Sequence, residues 1–494
     1  MSEDVVALPS RWARLAERLG ERLNPLVVKE VRQGLRTRLF WVCFGLMLLA
    51  CLLVALLAYG DMRGGSYRPK GQTYFFTFFV FLGLVHFFII PYSAYRSLAR
   101  EREDETWVLL TLTGLGPRRI LRGKVASFLI QAGLYASAAG PFLLFSYYLN
   151  GIELPSILVV LGLGALWLVF LTVLGVCAAT LAEGRLGRAF MHFVVLGVLA
   201  GGVAQGLGGA FALSSGGARM MRDNDFFAVV GVAMWLMVSY GVLLFETAVS
   251  RLSLSTEDYT RGPRRALLLQ MVLSSLVVMG LWWQESQEQE LAFAGGILGG
   301  LHLTLAGLFV ATDVDGQARP LRAKTRAWSL LRPGALRGFR FIVVLLLAWT
   351  VFILLLQWDS PSTRTNRETL MLATSAGTAY ALLFLSVALL LGRMPRSDRW
   401  ASPVSVRLLF VALVGLGCVV PPLVALLLGR ESNHGLLNLF NPVVGTVNFA
   451  AYDYMAERPR MPGELLLFLG GVAVLAVFAT DRVLARRERQ AHEA

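Results

Sequence analysis

Runs of about 20 consecutive apolar residues recur along the whole 494-residue chain, and this repetition decides the fold class before any motif is read. A helix of that length crosses the ~30 Å hydrocarbon layer of a bilayer. Within lipid every amide has to be satisfied inside its own span, and for such segments the helix does this. Twelve runs read as spans, at about 39–59, 73–95, 125–149, 156–181, 189–213, 226–250, 266–283, 291–311, 339–357, 370–391, 407–429 and 464–482. Charged residues make up only 16% of the chain and hydrophobic ones 56%, against roughly 25% charged in soluble domains. The expected class is an all-α, polytopic membrane protein with about 12 transmembrane helices.

Loop charge sets the expected orientation. Of the 46 Lys and Arg residues, 36 fall on 1–38, 96–124, 183–188, 251–265, 312–340, 392–407 and 482–494, and the alternate loops hold the other 10. Basic loops stay in the cytoplasm, so both termini are expected there. A net charge of +14 would otherwise suggest nucleic acid as a partner. Spread in this way it orients the spans and meets anionic lipid, and no nucleic-acid partner is expected. The first apolar run begins only near Leu39, so no cleavable signal peptide is expected.

Two polar segments carry more organisation than connection requires. Residues 1–38 place Trp12, Leu15, Leu19 and Leu23 at helical spacing after Ser10. The chain then restarts at Asn24-Pro25, with Asn24 as helix cap and Pro25 in the first turn. Val27, Val31, Leu35 and Leu39 form the expected apolar stripe, with Lys29, Glu30, Arg32, Arg36 and Arg38 around it. Such a helix should lie in the membrane surface ahead of the first span. The second segment, Arg100–Lys124, runs from alternating charge (Glu101, Arg102, Glu103, Asp104, Glu105) through the amphipathic Thr106–Thr113. It then passes a Gly114–Pro117 turn to Arg118, Arg119, Arg122 and Lys124. The plain alternative is a loop whose arginines only fix topology.

Glu101-Arg102-Glu103, Thr106, Leu109-Leu110, Thr113, Pro117-Arg118-Arg119 and Gly123-Lys124 together resemble the signature between the second and third spans of ABC-2 type transporter permeases. One position departs from it: many members have Gly before the Thr, where this chain has Glu105. The stretch Asn24 to Gln33 is similar to the interfacial helix that opens the same permeases. The resemblance covers the first third of the chain. It implies that Glu101–Arg119 is a coupling segment docking on a cytoplasmic ATP-binding subunit, through Glu101, Glu103, Glu105, Thr106, Trp107, Leu110, Pro117, Arg118 and Arg119. It implies an interfacial helix carrying Asn24, Pro25, Lys29, Glu30 and Arg32. It further implies an exporter in the inner membrane of a bacterium, with ATP and magnesium on the partner subunit. A second permease chain or a homodimer is left open.

The residues themselves exclude some chemistry. Gly123-Lys124 lacks both the upstream Gly and the following Ser or Thr of a P-loop, so the chain is expected to be no ATPase and to hold no cofactor. Asp313-Val314-Asp315-Gly316 invites a metal, but Gly316 comes too early for a calcium loop, and a solvated helix end is the expected reading. His86, His192 and His302 lie in or near spans, where a structural hydrogen bond is the first expectation and a substrate role the second. Glu246 is expected to snorkel from the sixth span. Cys43, Cys51, Cys177 and Cys418 all lie in apolar runs, with no disulfide or metal spacing. Gly197, Gly201, Gly202, Gly206, Gly208 and Gly209 predict dense packing of the fifth span.

The organisation expected is therefore a 1–38 interfacial prelude and a six-span ABC-2-like half, 39–250, with its coupling segment at 97–124. Six further spans follow in 251–494, with an outer interfacial or re-entrant segment at 430–462. A faint echo links Leu331-Arg332-Pro333 to Leu23-Asn24-Pro25, without a second coupling segment. The function expected is a permease subunit driven by a separate ATPase. The alternatives are a lipid-linked glycosyltransferase-like membrane enzyme and a non-transporting scaffold.

Overall fold

The computed structural model describes residues 25–63, 70–104, 115–181, 184–220, 223–254, 256–314, 329–361, 364–394, 402–429, 437–453, 458–459 and 461–493. Twelve helices among them are long and apolar enough to cross a membrane, one for each run read from the sequence. The chain divides into two compact units, Met1–Ser253 and Leu254–Ala494.

The first unit begins with α1 (Pro25–Leu35) and α2 (Arg38–Arg63). Pro25, with its preset φ and no N–H to waste, is the first helical residue. The stripe expected at Val27, Val31, Leu35 and Leu39 coincides only in part with what is buried: Val27 is buried and Leu35 packs on the core, whereas Leu39 is exposed. Leu26, Val27 and Glu30 turn inward, and Gly34 packs on Gln131. The helix also breaks at Arg36–Thr37, where the Thr37 hydroxyl accepts from the Phe40 amide at 3.3 Å and caps α2. Leu39 therefore belongs to the span, and its side chain faces outward together with Trp41, Leu46, Leu53 and Leu57. Such a continuous apolar exterior suits lipid and not water.

A single helical rod follows: α3 (Gly71–Leu84), a π-helical turn (Val85–Ile89) and α4 (Ile90–Glu103). The widened turn immediately precedes Pro91, whose ring and missing N–H disrupt the regular ladder. His86 sits in that turn, with its ring nitrogens 3.1 Å from the carbonyls of Leu82 and Ala132. His192 meets the Tyr92 hydroxyl at 3.0 Å. Both are hydrogen-bonded within the protein.

The unit closes with α5 (Pro117–Tyr148), α6 (Leu154–Leu181), α7 (Gly184–Met220) and α8 (Asn224–Leu252). α6 packs against α4, α7 and α8, while α5 packs against α1 and α3. Gly175 permits a close approach of α6 to α4, since a Cβ there would stand 2.6 Å from the Pro91 carbonyl oxygen. The packing expected of the glycine-rich span is only partly present. Gly202 meets Leu171, and Gly206 meets Phe87 and Trp167. A Cβ at 197, 201, 208 or 209 would find nothing within 4 Å.

The second unit contains α9 (Arg261–Gln284), α10 (Gln289–Val310), α11 (Ala335–Asp359), α12 (Arg364–Arg393), α13 (Pro403–Leu427), the short α14 (Pro442–Ala450) and α15 (Gly463–Glu493). α12 is central and touches α10, α11, α13, α14 and α15. Polar pairs are buried with it: Gln357 donates to Thr374 at 2.9 Å, and Thr350 meets Thr378 at 2.6 Å. Arg340 grips Asp481 with two bonds of 2.7 and 2.9 Å, tying α11 to α15. The 430–462 segment supplies α14, capped by the Asn441 side chain, followed by a two-residue antiparallel ladder, Tyr452–Asp453 with Arg458–Pro459. Tyr380 of α12 donates to the Leu439 carbonyl at 2.7 Å and holds it down.

Candidate functional site

The basic ends of the first unit's helices converge where α4 finishes and α5 starts. α4 runs eight residues past the predicted end of its span, to Glu103, and α5 starts eight residues before the predicted start of the next, at Pro117. Several of the polar side chains in these turns have partners within the protein.

Lys124 is the centre of this region. It was counted with the arginines as an orienting charge, yet its side chain is fully buried. Its ammonium donates to Glu101 at 2.7 Å, to Ser97 at 3.2 Å and to Glu30 at 3.3 Å. Glu101 lies on α4, Glu30 on α1 and Lys124 on α5, so one cation joins three helices. Burying a charge is tolerable only with partners of this kind. Glu30, expected on the polar flank of the interfacial helix, is thus an internal residue, whereas Lys29 and Arg32 are exposed.

The other coupling-segment residues divide into three groups. Arg118 is exposed and pairs with Glu246 of α8, whose side chain is 12% exposed. Glu103 faces Arg188 of α7 at 3.5 Å with both side chains well exposed, a pair worth little by itself. Pro117 opens α5 behind Gly116, and Arg119 is exposed in the same turn. Glu105, Thr106, Trp107 and Leu110 lie outside the described residues, as does Asn24.

The second unit has a buried cation of its own at the basic end of its helices, which the sequence reading missed. Arg264 of α9 donates to the carbonyls of Leu330 at 2.8 Å and Arg332 at 2.5 Å, and to those of Gly334 and the Asp313 carboxylate at 3.3 Å. Asp313 also accepts from Tyr259 at 2.8 Å and from the Gly334 amide at 3.0 Å. It is therefore not a solvated helix end, and its oxygens are committed to protein donors. Asp315 lies outside the described residues. Gly334, at φ 127°, takes a backbone conformation that a side chain would resist. Burial first, and the Asp313 carboxylate next, push the Tyr259 phenol well above its ordinary range.

Among the described residues no three His, Cys, Asp or Glu side chains are grouped to hold a metal ion. The geometry supports mechanical linkage: charged contacts that fasten helix ends to one another. Comparison with protein families, with curated proteins and with solved structures finds no match to this chain.

Proposed function

We propose that this chain is the membrane permease subunit of an ABC-2 type exporter, driven by a separate cytoplasmic subunit that binds ATP and magnesium. The supporting observation is the Lys124 cluster. It fastens α4 and α5, the two helices flanking 105–114, to each other and to α1. A docking segment mounted on such a frame passes a push to the spans instead of absorbing it, and the ATPase cycle then biases them between inward- and outward-open states. In this reading the partner engages Glu105, Thr106, Trp107 and Leu110, with Arg118 and Arg119 beside them. Glu101 acts from behind by holding the frame.

The test uses Glu105→Lys with Trp107→Ala, leaving Glu101 and Lys124 intact. Losing a buried aromatic anchor typically weakens an interface by about 30-fold or more, and reversed charge adds repulsion. The expected result is normal membrane abundance with loss of both the co-purifying ATPase and ATP-dependent transport in proteoliposomes. Retention of both in the double variant, or ATP hydrolysis by the clean single chain, refutes the proposal.

A further inference from the structure

A recess of about 700 Å³ opens at the basic end of the first unit, walled by α4, the end of α6 and the start of α7. Arg96, Arg100, Arg102 and Arg188 line it, opposed by Glu103. Arg102 is spoken for, donating to the Ala179 carbonyl at 2.9 Å, and among the described residues Arg188 makes a long, exposed contact with Glu103. Arg96 and Arg100 are exposed, and neither forms an ion pair among the described residues. Four guanidiniums against one carboxylate in a concave wall make a site for an anion. Guanidinium forks match phosphate oxygens in pairs.

The apolar surface beside it narrows the anion's identity. Phe193 lines the recess and is 74% exposed, and Phe190 is 67% exposed. Residues 190, 193, 194, 197 and 201 share one face of α7 by helical spacing. On that face Val194 is exposed, and Gly197 and Gly201 have nothing within 4 Å of where a Cβ would be. At 197 and 201 the helix surface is therefore open and bare of side chains, which leaves room for a shallow groove from the arginines down an apolar face. This is the shape of a phosphate attached to a hydrocarbon chain.

We propose that the recess binds one anionic phospholipid, with its phosphate on Arg96, Arg100 and Arg188 and an acyl chain in the Gly197–Gly201 groove. Basic pockets between helices at the membrane boundary favour such headgroups. A choline headgroup would bring a second cation among the arginines and is disfavoured, whereas a glycerol headgroup adds none. A free phosphate would use the arginines and gain nothing from the groove, where each buried methylene adds to a lipid's affinity. The proposal stands independently of the transporter reading, since it needs no ATPase.

The test compares lipid retention by the purified chain in phosphatidylcholine nanodiscs containing about one-fifth phosphatidylglycerol, an anionic fraction ample for a specific site to fill. Retention is read by native mass spectrometry. Wild type is expected to keep one phosphatidylglycerol preferentially. Arg96→Gln with Arg100→Gln, both at exposed positions, is expected to weaken that retention on the order of tenfold per arginine. Gly197→Phe with Gly201→Phe fills the groove, leaves the arginines intact and is expected to lose retention as well. Added inorganic phosphate is expected not to displace the lipid. Undiminished retention in the arginine double variant overturns the site. Displacement by phosphate overturns the lipid in favour of a free anion, and unaltered retention in the glycine double variant overturns the placement of the acyl chain along Gly197 and Gly201.

Discussion

Replacing Lys124 by Met puts the central cluster to a quantitative test. Its ammonium lies 2.7 Å from Glu101 and 3.3 Å from Glu30; at an effective dielectric of 20 those separations correspond to attractions of roughly 6 and 5 kcal/mol. Most of this is spent on desolvation, because the Lys124 side chain is fully buried and that of Glu30 is 9% exposed. The pair contributes little net stability over an apolar replacement, yet deleting one member strands the others at a cost of about 3–5 kcal/mol. For a unit of this size that corresponds to roughly a 10–15 °C drop in unfolding midpoint. Met keeps the length of the stem, so the loss measured is chiefly electrostatic. Adding Glu30→Gln and Glu101→Gln to Lys124→Met removes the stranded charges and should recover most of the loss. Among single changes, Glu30→Gln should cost more than Glu101→Gln, because the Glu101 side chain is 22% exposed and better solvated. The assay is the midpoint of loss of the monodisperse peak on size-exclusion chromatography after heating in detergent. An unchanged midpoint for Lys124→Met, or a triple variant no better than the single one, would refute the electrostatic account.

Two further outcomes follow from the same geometry. The Tyr259 phenol is raised in the folded state, so its contribution is complete below its unfolded value of about 10 and is lost as pH rises through the folded value; alkaline unfolding should therefore begin at lower pH in wild type than expected from Tyr259→Phe, whose own stability at neutral pH should fall by about 1 kcal/mol for the lost hydrogen bond. Identical alkaline profiles would disprove this. On α6, Gly175→Ala should destabilise by about 1–3 kcal/mol through its clash with the Pro91 carbonyl, whereas Gly162→Ala, with nothing within 4 Å, should be neutral or stabilising by about 0.5–1 kcal/mol; equal effects in a thermal-shift series would rule out the close approach.

The twelve spans were legible because a 20-residue apolar run has one solution in lipid, and that argument needs no knowledge of tertiary contacts. The charged interior was not legible in the same way. Lys124 finds Glu30 from 94 residues away, and Arg118 finds Glu246 from 128 away. A count of basic residues per loop treats them all as orienting charges. A local signal did exist: Ile120, Leu121, Lys124, Phe128, Gln131, Ala132 and Tyr135 are all buried on α5 at helical spacing, so Lys124 stands in register with an apolar stripe. Arg264 does the same among Leu267, Gln270 and Met271. A cation in phase with a buried stripe predicts an internal partner, whereas one out of phase, such as Arg122, remains at the surface. On α1 the stripe fails at Leu39. Reading the stripe from Val27 to Leu39 assumed an unbroken helix, and the Thr37 cap removes that premise.

The two units use a buried cation for the same purpose with different ligands. Around Lys124 the acceptors are chiefly side chains, two carboxylates and a hydroxyl drawn from α4 and α1. Around Arg264 they are chiefly main-chain carbonyls of the turn at 330–334, together with the Asp313 carboxylate. Of the echo between Leu331-Arg332-Pro333 and Leu23-Asn24-Pro25, the later copy wraps a guanidinium as a turn, Pro25 begins a helix, and Leu23 and Asn24 lie outside the described residues. Their mechanical consequences differ as well. A carbonyl cage is set by backbone geometry and gives way only if the turn itself moves. A carboxylate cluster can exchange partners when another charge approaches, and Glu101 is the member still partly open to solvent. Of the two knots, the one beside the 105–114 segment is the one whose grip an approaching charge can alter.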